Sequence, residues 1–343
     1  MSMVLSKAWS VLRNYESRDL IVESLKKRHG RTACTNLARE ISCAFVQARE
    51  YFDNARRADV IVKPLLLYYG VQSLARGATM FLLNDREATL ASGHGIIAVQ
   101  WRNILSGDDA DPWQLEVEVL EKGTLPKFLE ATRNTTVMRI NGPRLYAHRQ
   151  HHSEMKPFRL KLGEILERLP DVADQYLRWK GFPLLLAVTL LRRVENDTKM
   201  LIDIHRDQFG EQYEVSTINN MLTIMNLPLI DDKISGNNIA IDRQNDLCIW
   251  DVYRENYNEG VLYVVAKFGG NITLSKPVVT YIISYYLGMM VRYFPTFWIS
   301  MARHERNDAA LPTLLEAVSY VEKRFPLMVA DYLDLDEPLS YIF

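Results

Sequence analysis

Apolar residues recur at three- and four-residue spacing from Thr35 to Arg57. Leu37, Ile41, Ala44, Phe45, Ala48, Tyr51, Phe52 and Ala55 fall on one face, with Arg39, Arg49 and Arg56 opposite. That period predicts an amphipathic helix, which Thr35 can cap. A second helix is expected from Pro64, whose missing N–H suits a first helical turn, to about Leu83. Within it Gly70, Ser73 and Gly77 form a stripe of small residues. Glycine is costly inside a helix, so the stripe implies the close approach of another helix. Towards the other end, Pro277 opens a helix that should stop before Pro295. Leu311 to about Leu333 repeats the amphipathic spacing, with Leu315, Val318, Val321, Phe325 and Val329 on one side.

The middle of the chain reads differently. Ile96 to Trp101 is a short extended piece between loops, and Leu115 to Leu120 alternates apolar and acidic residues, as a half-buried strand does. Asn134 to Gln150 reads as irregular, with a turn at Asn141-Gly142-Pro143. A helical stretch from Leu162 to Trp179 is interrupted at Pro170. Leu184–Arg192, Lys199–Ile204, the run from Ile239, Leu247–Val252 and Val261–Phe268 read as strands, with Asn196-Asp197 as a hairpin turn. The expected architecture is α+β. Its helical body is made from both ends of the chain (1–111 and 273–343), around a β-rich mixed centre at 112–272. The helices from Pro64 and Pro277 are apolar on most faces and should pack on each other.

Composition narrows the classes without choosing one. The 343 residues carry 41 Lys+Arg against 42 Asp+Glu, so a uniformly basic nucleic-acid coater is excluded while a local basic patch is not. Cys34, Cys43 and Cys248 are too few and too scattered for a disulfide framework or a zinc spacing. They are expected as buried or half-buried thiols of a reducing cytoplasm. The first 14 residues have no apolar core with a cleavage site, so a secretory leader is not expected. The apolar runs Pro64–Leu83 and Val278–Val291 are broken by Gln72, Ser73, Arg76 and Arg292, so no membrane span is expected.

Three blocks carry a resemblance: Glu50 to Ala55 with Lys63 to Arg76, the Gly93-His94-Gly95 segment, and Lys276 to Trp298. In order and separation they resemble the YaaC-like family of bacterial proteins over nearly the whole chain. The family brings no catalytic residues to carry over. The Tyr-Tyr-rich stretch Leu67 to Arg76 is also similar to one helix of HEPN-type domains. That likeness implies a stress or anti-phage defence setting and, for some members, ribonuclease activity.

HEPN ribonucleases pair an Arg that steadies phosphate with a His that acts on a 2′-hydroxyl. Arg144 and His151 are the one such match, and they lie outside the helical regions. Around them Arg133, Arg139, Arg144, Arg149, Lys156, Arg159 and Lys161 face the single acid Glu154. Such a strip can bind RNA or DNA phosphates or remain a solvated loop. His148, His151 and His152 lack a helpful carboxylate or cysteine, so no metal is expected, and no cofactor motif is present. His94, exposed between two glycines, is the best single histidine candidate. Arg76 and Arg292 on apolar helices could flank a pocket with Tyr69 and Tyr286. The expectations are a protein that binds nucleic acid or a protein partner, a metal-independent ribonuclease using His94 or His151 with Arg144, Arg76 or Arg292, or a structural subunit, including a homo-oligomer.

Overall fold

A computed structural model describes residues 2–30, 35–90, 93–107, 110–139, 145–150, 157–194, 199–204, 215–227, 238–242, 247–254 and 259–334. The chain opens with four helices: α1 (Met3–Arg13), α2 (Arg18–His29), α3 (Thr35–Arg57) and α4 (Lys63–Leu83). Strand β1 (Ile96–Val99), α5 (Trp101–Leu105), β2 (Glu116–Val119) and α6 (Thr124–Thr132) follow. Next come β3 (Thr135–Arg139), β4 (Leu145–Arg149), β5 (Phe158–Lys161), α7 (Leu162–Leu166) and α8 (Ala173–Trp179). Strands β6 (Leu185–Val194) and β7 (Lys199–Ile204) precede α9 (Val215–Ile224), β8 (Asn238–Asp242), β9 (Cys248–Arg254) and β10 (Glu259–Val265). The chain then returns to helix in α10 (Lys276–Tyr293), α11 (Pro295–Ala302) and α12 (Leu311–Leu333).

Two units are distinguished. The first comprises 1–134, 153–163 and 276–338, so it is a helical body drawn from both chain ends, with the antiparallel sheet β1-β2-β5. The small-residue stripe of α4 meets α3. A Cβ at Gly70 would lie 2.9 Å from the Phe52 ring, and one at Gly77 would lie 2.7 Å from the Phe45 ring. Gly288 of α10 lets that helix approach α4 in turn, because a Cβ there would lie 2.6 Å from Tyr68 Cβ. Helix α12 closes the bundle, with Thr280 and Tyr320 hydroxyls 2.6 Å apart. Its buried face runs through Leu311, Leu314, Val318 and Val321, whereas Leu315 is exposed, one residue off the face expected for it.

The second unit comprises 135–152, 164–275 and 339–343. It holds the five-stranded antiparallel sheet β8-β7-β6-β10-β9 and the hairpin β3-β4. That hairpin corrects the irregular reading of Asn134 to Gln150. Thr135, Thr136 and His148 are buried polar residues, so the apolar alternation that announces a strand is missing. His148 Nε2–H donates to the Leu247 carbonyl at 2.9 Å, which is why burial tolerates it. Arg168 is buried and satisfied. It donates to the carbonyls of Ala266 (3.0 Å), Lys267 (3.1 Å) and Glu164 (2.8 Å), pairs with Glu167 and lies over the Phe268 ring. Cys248 is buried, but Cys43 is exposed, contrary to expectation, because it lies on α3 away from the apolar face. The proposed turns at Asn141-Gly142-Pro143 and Asn196-Asp197 lie outside the described residues. Among the described residues no helix is long and apolar enough to cross a membrane.

Candidate functional site

His94 sits on the loop ahead of β1, in the helical unit, and the loop is held tightly. Gly95 has φ +74° and Gly123, ahead of α6, has φ +134°. A Cβ on Gly123 would lie 2.3 Å from both Cα and N of Gly95, and one on Gly95 would lie 2.3 Å from Pro126 Cδ. Two backbones touch there, so any side chain at Gly123 would have to displace the loop. Amides of Thr124 (3.0 Å), Leu125 (3.0 Å) and Leu120 (2.9 Å) donate to the carbonyls of Gly93, His94 and Gly95 respectively.

The imidazole then meets two residues one turn apart on α4. Nδ1 of His94 lies 2.6 Å from the Tyr68 hydroxyl and 2.9 Å from Gln72 Nε2. An amide nitrogen can only donate, so Nδ1 is the acceptor and the neutral ring carries its proton on Nε2. Burial lowers the pKa of His94, and the charges of Arg292 and Arg76 lower it further. Burial also pushes the Tyr68 hydroxyl well up, so it remains a donor. The arrangement presents a neutral histidine with an N–H, in the field of two guanidinium groups.

Those two arginines differ. Arg76 Nη2 pairs with Glu87 at 2.6 Å. Arg292 is exposed, donates to the Tyr69 hydroxyl at 2.9 Å and lies 5.0 Å over the Tyr293 ring; no carboxylate pairs with it among the described residues. Tyr69 in turn neighbours Tyr68, at 5.6 Å between ring centroids. Tyr286 is fully buried, its hydroxyl donating to the Leu160 carbonyl at 2.5 Å. It is Tyr285 that faces His94, at 6.3 Å between centroids. The helical period could have distinguished them. Tyr285 is two turns from Arg292 and shares its face, and Tyr286 does not.

Beside Tyr285 lies an open cleft of about 600 Å³ between β1–α5 and the end of α10. Its walls include Trp101, Tyr285, Tyr293 and Phe294, with Gln100 and Arg102 among the polar groups. Trp101 is locked in place, stacked on Tyr286 at 5.3 Å and 8° with its Nε1–H donating to the Glu116 carbonyl. Sequence reasoning missed this cleft, as it missed Tyr68, Gln72 and Gly123. Gln72 did carry a signal, being a lone amide on an otherwise apolar helix.

The described cations of the basic strip are divided between the two units. Arg133, Arg159 and Lys161 belong to the first unit, and Arg139 and Arg149 to the second. Arg159 is held by Glu118 (2.9 Å) and Glu116 (3.6 Å) on the adjacent strand, and Lys161 donates to Gln114 at 3.1 Å. Arg133 and Arg149 are exposed. Arg144, His151, His152 and Lys156 lie outside the described residues, so the Arg144–His151 pair has no geometry to report. Among the described residues no three His, Cys, Asp or Glu side chains converge as a metal site would require.

These features define an α+β protein with a helical body and a half-buried histidine site braced by tyrosine and glutamine. The chain belongs to the YaaC-like protein family, whose model matches residues 9–333. No curated protein and no solved structure matches it. The similarity of one helix to HEPN-type domains has no counterpart in these comparisons.

Proposed function

We propose that the protein binds nucleic-acid phosphate, as single-stranded RNA or DNA or as nucleotides, on the face of the helical unit that carries Arg292, Tyr69 and His94. Arg292 supports this reading most. It is an exposed guanidinium without a carboxylate partner among the described residues, aimed by a tyrosine hydroxyl and set near a histidine that offers an N–H. A planar guanidinium with several N–H groups matches a phosphate bidentately. Arg159, by contrast, is already engaged by two glutamates. A stress or defence setting enters the proposal from the HEPN likeness alone.

The test is gel-shift binding of labelled single strands at two salt concentrations, with a denaturing gel of the same samples. We expect Arg292→Ala to lose binding and the joint change of Arg139, Arg144 and Arg149 to Glu to keep most of it. The opposite pattern would move the site to the strip. Through His94 the ribonuclease reading meets an obstacle, since its Nδ1 lone pair is taken and Nε2 bears the proton, leaving no nitrogen to abstract one. RNA shortened by the wild type and spared by His94→Ala or by His151→Ala would restore the ribonuclease.

A further inference from the structure

We infer that the cleft beside Tyr285 is a nucleobase pocket: one unstacked base stacks on the exposed Tyr293 ring beside Phe294, over a floor that Trp101 fixes, and the Gln100 amide reads its edge. The inference deepens the phosphate reading above and rests on it only for the origin of the ligand. Four observations carry it. The walls are aromatic, with Trp101 6.2 Å from Phe294 and 6.4 Å from Tyr285 between ring centroids. Aromatic faces stack on any base, and each such contact is a substantial part of single-strand affinity. The volume, about 600 Å³, lies in the range of pockets that enclose a small ligand, and far exceeds what one water needs.

The polar groups match a nucleotide in particular. No carboxylate lines the cleft, Arg102 does, and the Arg292 guanidinium lies over the Tyr293 ring that forms one wall. An aromatic slot with cations at its rim complements a planar base that carries a phosphate. Gln100 lines the cleft in a left-handed conformation at φ +53°, which a residue with a side chain adopts at a cost. Its amide pairs a donor with an acceptor, the pattern that adenine presents on one edge. Trp101 is buried, stacked on Tyr286 and bonded through Nε1, so it gives the cleft a fixed floor formed in advance, and the base-stacking face is that of Tyr293.

The probes are adenosine, uridine, AMP and a short oligoadenylate, each titrated calorimetrically into the full-length protein. Adenosine carries no phosphate, so it tests the pocket without Arg292. We expect adenosine and AMP to bind, Tyr293→Ala to weaken both about tenfold or more, and Tyr293→Trp to retain them. Tyr293 is 60% exposed, so its truncation leaves the core untouched. Gln100→Ala should narrow the preference for adenosine over uridine. AMP binding at least as tightly as the oligonucleotide would identify a free nucleotide as ligand. Tighter oligonucleotide binding would identify a strand, and both support the pocket. Adenosine that binds while Arg292→Ala leaves oligonucleotide affinity unchanged would keep the pocket and reject the phosphate reading. Oligonucleotide binding that depends on Arg292 but not on Tyr293, with adenosine silent at millimolar concentration, would overturn the pocket and keep the phosphate reading.

Discussion

Protonating His94 places a third positive charge near Arg292 and Arg76 in a half-buried loop, and its lowered pKa expresses that penalty. The folded protein therefore takes up fewer protons than the unfolded chain as the pH falls below the ring's ordinary value of 6.5. The stability that the neutral ring contributes is complete above that value and is lost as the pH falls towards the lower folded one. We expect denaturation midpoints to drop more for the wild type than for His94→Gln between about pH 7 and about pH 5. Parallel profiles would show that His94 is not the group responsible. The loop itself depends on Gly123. A Cβ there meets Gly95 backbone at 2.3 Å, so Gly123→Ala should cost about 2 kcal/mol or more and abolish oligonucleotide binding. Gly30→Ala, at φ +65° with nothing within 4 Å, should cost only about 1–2 kcal/mol for conformation alone; urea midpoints distinguish the two. Cys248 offers a third check. Burial pushes its thiol up to about 12, so alkylation at mildly alkaline pH should reach the exposed Cys43 and spare Cys248 until the protein unfolds.

At the scale of elements, α4 joins the core to the site. Its glycines admit the rings of α3, while Tyr68 lies against Gly288 of α10 and also holds His94. Gly288→Ala would press a methyl to 2.6 Å from Tyr68 Cβ, an atom close to the backbone with no room to rotate away. We expect a loss of about 1–3 kcal/mol by calorimetry and weaker ligand binding, because the displaced tyrosine carries the histidine with it. An unchanged affinity alongside lost stability would uncouple the two. The small-residue stripe in the sequence foretold this packing, because glycine at helical spacing has few other uses. The hairpin β3-β4 was not legible, since its buried positions include threonines and a histidine whose partner, Leu247, lies 99 residues away.

For the molecule as a whole, charge is nearly balanced, so attraction to nucleic acid must be local. A site built on Arg292 and one neighbour neutralises about one or two phosphates, for a slope near −1 in log Kobs against log salt. Engagement of all seven cations of the strip would give a slope near −5 for a single strand. Measured slopes decide between those footprints. The sequence by itself determined the long helices, the ends that prolines mark, and most strands. Those follow from contacts within a few residues, and the 3.6 and 2.0 periods record them directly. It also singled out His94 as a candidate, because a histidine between glycines is conspicuous wherever it lies. Only the tertiary structure decided that Tyr285 rather than Tyr286 turns to that histidine, that glutamates on a neighbouring strand engage Arg159, and that an aromatic cleft opens beside Trp101. Each of these depends on side chains brought together across tens to hundreds of residues, a pairing on which local periodicity carries no information.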